Sequence, residues 1–315
     1  MKVDYFGLMK DSFNFTLKYK ALWLFGFFLA LFAGGSSGGN NSYSGNSYNS
    51  GSSSSTNTLP TEAQDALNKA GDYFTNLVNQ PWFWVLVVVL IVLGLAFFCL
   101  AIYLTNISNT ALVKAVKYDE EGKTDKITVK SLWNDGNILF WKTFLYGLLW
   151  GFVIFFVTLV MILPIIFMII IPIFLCLLVI WVPMMIVVLY ALSMAYQIGF
   201  TKLVFDGTDS VESFTYGLKL LRSQLKHWVI STFAMILPGL AYGFVMLIVA
   251  LLLLVVFIGL PILAIVLSNM AVWSFILLGL CVFIFVLLMA AASAPLQVFT
   301  NTYWTKLYLL LSKEQ

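Results

Sequence analysis

Two stretches of this chain contain no Asp, Glu, Lys or Arg: Thr143 to Thr201, 59 residues, and Trp228 to Thr305, 78 residues. About 20 apolar residues cross the hydrocarbon core of a bilayer as a helix, so each run is long enough for more than one crossing. The whole chain has the same character, being 61% hydrophobic and 10% charged over 315 residues, where an ordinary soluble domain is roughly a quarter charged. A soluble globular fold is excluded. The fold class expected is an all-α, multi-pass membrane protein.

Six spans paired as three hairpins account for the apolar runs. Met1 to Lys20 interleaves Val3, Phe6, Leu8, Phe13, Phe15 and Leu17 with four lysines, the pattern of an amphipathic helix on a membrane surface. Ala21 to Ala33 is a short, aromatic-rich first span. A signal peptide is the competing reading, because Leu31-Phe32-Ala33 before glycine resembles a cleavage site; the helix-like patterning of the leading segment favours a retained span. Residues 34–58 are Gly, Ser, Asn, Thr and Tyr only, a composition that cannot bury a core and reads as a flexible external loop. Thr61 and Gln64 form a capping box for a polar helix over 61–80. Pro81 to Leu104 is then a full-length span. The middle run divides at its prolines into a helix from Thr143 to Ile162, a turn over Leu163 to Pro172 and a return helix to Gln197. The last run divides into Val229 to Phe257, a turn over Gly259 to Ser268 and Asn269 to Ser293, with three spans in either run as the alternative.

Charge placement supports six. Lys and Arg flanking spans stay cytoplasmic, and with the N-terminus inside, sixteen of the seventeen basic residues fall on one side, Lys69 being the exception. Both termini are therefore expected in the cytoplasm, with the bacterial inner membrane as the location.

An internal repeat of three units, 1–104, 105–197 and 198–315, follows the hairpins. Three segments lead into odd-numbered spans: Ser12-Phe13 before Trp23, Ser131-Leu132 before Trp141, and Ser213-Phe214 before Trp228. After the even-numbered spans come Thr110-Ala111-Leu112-Val113, Thr201-Lys202-Leu203-Val204 and Thr305-Lys306-Leu307-Tyr308, the last in a C-terminal interfacial helix. Trp23, Trp82, Trp84, Trp141, Trp228 and Trp304 are expected at headgroup level. Gly147 and Gly151, like Gly239 and Gly243, have the G-x-x-x-G spacing that lets helix backbones approach, and are assigned to helix packing.

Surface helix, Trp, apolar hairpin and exit helix, opened by Lys20-Ala21-Leu22-Trp23-Leu24-Phe25-Gly26 and carrying Phe205-Asp206-Gly207 ahead of Val211-Glu212-Ser213-Phe214, resemble the multi-pass membrane domain fused to some bacterial glycerophosphoryl diester phosphodiesterases. The resemblance covers most of the chain except 34–58. Diesterase activity is not implied, because that family's catalytic barrel needs histidines and metal-binding acids. This chain has a single histidine, His227, and no soluble stretch long enough for a barrel.

Function classes narrow accordingly. A net charge of +3 without a long basic run argues against nucleic acid. The three cysteines sit in apolar runs away from His or acids, and read as buried thiols between helices, with no disulfide, metal or cofactor. Asp119, Glu120, Glu121, Asp206 and Asp209 read as solvated hinges and His227 as a headgroup-level residue. No nucleophile stands beside a base, so no catalytic residue is assigned. The spans contain no ionisable residue to couple an ion. The expectation is a non-catalytic integral membrane protein that organises lipid or a partner membrane protein at the cytoplasmic leaflet. Its headgroup contacts to anionic lipid would be Lys18, Lys20, Lys142, Lys219, Arg222 and Lys226, with Lys10 and Lys130 in the same collar. A permease-like or lipid-translocating protein is the alternative.

Overall fold

The computed structural model describes residues 4–32, 80–170, 175–262 and 272–313. The loop expected at 34–58 and nearly all of the polar helix at 61–80 lie outside the described residues. Within them every regular element is helical and no strand occurs. The protein is an all-α membrane protein: five helices are long and apolar enough to cross a bilayer, and a bent pair near the N-terminus makes a possible sixth crossing.

Helix α1 (Tyr5–Lys18) starts at Asp4, whose Oδ1 accepts the Gly7 N–H at 2.9 Å, the usual way an N-cap carboxylate satisfies a first-turn donor. A 3-10 turn (Lys20–Leu22) leads into α2 (Trp23–Phe32), and the two arms are bent by 85°. At 1.5 Å per residue, the ten described residues of α2 rise only about 15 Å, half of a hydrocarbon core. Helices α3 (Pro81–Glu120), α4 (Val129–Ile170) and α5 (Leu175–Asp206) follow. Then come α6 (Ser210–Ser223), α7 (Leu225–Leu254, continued by a π-turn over Val255–Gly259) and α8 (Val272–Ser312).

Three boundaries differ from the sequence expectation. The turn expected at Leu163 to Pro172 is helical as far as Ile170, with Pro164 inside α4; in lipid a proline removes one backbone bond, which neighbouring groups can re-satisfy, and need not end a helix. The last hairpin likewise stays helical through Ile262. Exit segments are not separate helices: 105–120, 198–206 and 294–312 are the ends of α3, α5 and α8.

The chain divides into two compact units, Ser42–Tyr103 and the remainder. What is described of the first is the apolar length of α3, where Val85, Leu90, Phe97 and Phe98 are all more than half exposed. The second unit holds the core, in three clusters. Phe15, Leu22, Phe25 and Leu29 pack with Leu112, Val116, Leu132 and Val298. Leu8, Ile198, Leu220 and Trp228 pack with Trp304, Leu307 and Leu311. Val113, Tyr146 and Trp150 pack with Phe200, Leu203 and Val204. This core collects α1, the starts of α4, α6 and α7, and the ends of α3, α5 and α8.

Candidate membrane-surface collar

The gathered helix ends form a collar, and the segments Thr110–Val113, Thr201–Val204 and Thr305–Tyr308 lie at its heart. Their Thr, Leu and last residues are all buried. The Thr110 hydroxyl donates to the Asn106 carbonyl and that of Thr201 to the Gln197 carbonyl, both at 2.8 Å, which satisfies a buried polar group within its own helix. The three helix ends then meet: Lys117 Nζ donates to the Phe205 carbonyl at 2.5 Å, and the Phe205 ring lies 6.2 Å from that of Tyr308.

Close backbone approach is built on glycines other than those expected. A Cβ on Gly147, Gly151 or Gly239 would meet no atom within 4 Å among the described residues, so these three positions pack no helix against another described one. The tight contacts are at Gly26 against the Ala294 carbonyl and Val298, Gly136 against Ile107, Gly199 against Tyr146 and Ser213, and Gly217 against Ala195 and Gly199. A Cβ at Gly217 would stand 2.5 Å from the Ala195 oxygen. Spacing alone could not single these out, but Gly199 immediately precedes Phe200 and the Thr201 motif, and Gly217 lies one turn after Ser213.

The tryptophans divide. Trp82, Trp84 and Trp141 are more than half exposed, as interfacial anchors require. Trp23 is half-buried and donates to the Thr16 carbonyl at 3.0 Å. Trp228 and Trp304 are not surface anchors: each is 1% exposed, and their rings stack with centroids 5.6 Å apart and planes 15° apart. An indole's area favours burial wherever neighbouring helix ends can cover it. Neither indole N–H finds an acceptor among the described residues.

The basic residues divide as well. Lys18 reaches Asp119 at 3.6 Å, and its neighbour Tyr19 donates to the same carboxylate at 2.8 Å. The Lys18 ammonium is held above the usual lysine range by its hydrogen bond to Tyr19 and the Asp119 charge, against some desolvation. Lys142 donates to the Gly207 carbonyl at 2.6 Å and lies 3.9 Å from Asp209. Gly207 has φ +67° and closes α5, so Lys117 and Lys142 both serve carbonyls where a helix C-terminus concentrates negative partial charge. Lys20, Lys219, Arg222 and Lys226 are exposed and take part in no ion pair among the described residues.

Asp119, expected as a plain hinge, ties α1 to α3, and Asp135, which no sequence pattern singled out, accepts from the Tyr118 hydroxyl at 2.7 Å. His227 is half-buried, with Nδ1 2.7 Å from the Tyr5 hydroxyl. Lys114 sits half-buried beside Lys117, and burial followed by that like charge pushes its amine below the usual lysine range. Cys99 is exposed within its own unit and Cys281 is half-buried, while the side chain of Cys176 lies outside the described residues. Among the described residues no cluster of His, Cys, Asp and Glu is placed to hold a metal ion.

Compared with known proteins, the chain matches no family, no curated protein and no solved structure.

Proposed function

We propose that the protein is a non-catalytic membrane organiser whose collar lies on the cytoplasmic leaflet of a bacterial inner membrane and gathers anionic lipid or a partner membrane protein there. The observation that carries this reading is the outer face of α1. Phe6, Phe13 and Leu17 are 76%, 55% and 46% exposed and recur at i, i+7 and i+11, so they form one stripe, bordered by Lys10. The 85° bend into α2 then lays that stripe in the membrane plane when α2 points into the bilayer. An apolar stripe edged by lysines is what a helix at the headgroup boundary needs. Three amphipathic entries, from α1, the start of α4 and α6, make this a three-unit design, in line with the resemblance to the diesterase membrane domain.

The permease alternative has less support. Polar groups at depth tie helices together rather than line a path: Tyr190 and Thr232 share a hydrogen bond between α5 and α7, and Tyr242 donates to the Ala292 carbonyl on α8.

Single cysteines at Ser53, Thr124, Asp209 and Lys313, in a chain lacking Cys99, Cys176 and Cys281, test the placement in intact cells. Labelling by a membrane-impermeant maleimide at Ser53 alone is the expected result. Labelling at Asp209 or Lys313 from outside would remove the collar from the cytoplasmic leaflet and overturn the reading.

A further inference from the structure

We propose that the corner where α1, α6 and α7 meet is a binding site for an anionic phospholipid, with Lys219, Arg222 and Lys226 on its phosphate. The proposal rests on the membrane-surface reading above and narrows it from a whole collar to one site.

The corner is a defined place. The Tyr5 hydroxyl reaches His227 across 222 positions of chain, and Leu8, Leu220 and Trp228 share one buried cluster. These contacts fix the first turns of α1 beside the last turn of α6 and the first of α7. Between α6 and α7 only Gln224 departs from helical geometry, with φ −118° and ψ 24°. Lys219 and Arg222, at i and i+3, therefore share one edge of α6, and Lys226 follows in the first turn of α7 just beyond the bend at Gln224.

Like Lys10, Lys20 and Lys130 they are exposed and have no carboxylate partner among the described residues, and what sets them apart is that three such cations fall within eight residues at this one corner. Lys18, Lys117, Lys123, Lys142 and Lys202 each have a carboxylate within 4.0 Å. Glu212, the acid on the outer face of α6, is taken by Lys202 at 3.4 Å. Three exposed, unpaired cations within eight residues call for an external anion, and a phosphate diester is the anion a membrane surface offers.

A second observation at the same corner says that the anion brings acyl chains. Val211 and Leu218, at i and i+7 on α6, and Leu225 at the start of α7 are 63%, 40% and 51% exposed and neighbour the three cations along the chain. Free phosphate would satisfy the cations and leave these apolar side chains in water; a phospholipid satisfies both.

The test is native mass spectrometry of the full chain in detergent, titrated with phosphatidylglycerol or phosphatidylcholine. The wild type is expected to retain phosphatidylglycerol in preference, unaffected by millimolar inorganic phosphate. Each lost cation weakens retention about fivefold, so Arg222→Gln with Lys226→Gln should reduce it more than tenfold, while Lys10→Gln with Lys20→Gln leaves it within about twofold. Leu218→Ser with Leu225→Ser should weaken both lipids. Equal losses in the two lysine-bearing pairs, or none in the Arg222 and Lys226 pair, would overturn the site while leaving a diffuse collar charge intact. No preference for phosphatidylglycerol in the wild type would overturn the site, whereas the collar reading stands or falls with the cysteine labelling above. Displacement by inorganic phosphate would show a simple anion site and overturn the lipid assignment.

Discussion

The collar and the spans are built on opposite terms. Around Trp228, Trp304 and Leu307 the chain buries large side chains against one another, with exposures of 1% or less. In the most apolar windows of α4, α5, α7 and α8, by contrast, the buried share is at most 22%. In water such spans would collapse together, but lipid is as apolar as leucine and supplies no hydrophobic drive between helices. The difference teaches that specificity of assembly resides in the collar: solvent on its outer side rewards burial there, whereas the spans are held by length, by a few hydroxyl ties and by the bilayer.

The largest effect that could break this comparison is truncation within the stacked pair. Trp304→Ala removes a fully buried indole and is expected to cost about 4 kcal/mol, read as a fall in melting temperature in detergent. Trp141→Ala, at a site 69% exposed, should cost less than about 1 kcal/mol. Comparable losses at the two sites would mean that burial within the collar does not set what a tryptophan contributes to assembly. Trp304→Phe sharpens the point. It keeps most of the ring area and removes an indole N–H that has no acceptor among the described residues, so its cost should be less than half that of Trp304→Ala.

Glycines offer the next contrast. Gly217→Leu drives a side chain into the backbone of Ala195 and Gly199, and overpacking against backbone is expected to cost about 3 kcal/mol. Gly147→Leu points into open space and replaces a poor helix former, so it should be neutral or stabilising by about 0.5 kcal/mol. Should Gly147→Leu instead disrupt the protein, its helix face packs on something outside the described residues, a second copy of the chain among the candidates. Size-exclusion chromatography with light scattering would then show the loss of a larger assembly.

Much of the fold is legible in the sequence because a bilayer imposes a one-dimensional rule: apolar length sets the spans, and lysine placement marks the side on which helix ends collect. The motif around Thr110, Thr201 and Thr305 is readable as a recurrence, but not as a core, since its alternation of small, polar and apolar residues fits an interfacial helix equally well. Trp228 and Trp304 show why the site was only half visible. Tryptophan next to lysine or histidine suits a headgroup anchor, and the ring of Trp228 is covered by a cluster in which Leu8, Ile198 and Trp304 arrive from helices distant along the chain. The pairing of Lys18 with Asp119 and Lys142 with Gly207 has the same origin. Which lysines remain free for lipid depends on where other elements end, and no local pattern carries that information.

The smallest effect concerns protons, and it isolates one collar contact because Tyr118→Phe removes a single phenol. Tyr118 lies at the collar end of α3, donating to Asp135 at 2.7 Å. Burial first, and then the hydrogen bond and charge of Asp135, hold its phenol protonated and push the pKa from 10.0 up to about 12. The folded-state value lies above the unfolded one, so the contribution is present in full below about pH 10 and is lost as pH rises towards 12. Solvent around the ring limits it to about 1 kcal/mol. Wild type should therefore exceed Tyr118→Phe by a constant margin from neutrality to about pH 9, and that margin should shrink above about pH 10. Other alkaline titrations cancel in the difference, because both chains share them. A margin that stayed constant through this range would mean that the Tyr118–Asp135 contact contributes nothing to closing α3 against α4, leaving Leu112, Val116 and Leu132 to join the two helices by packing alone.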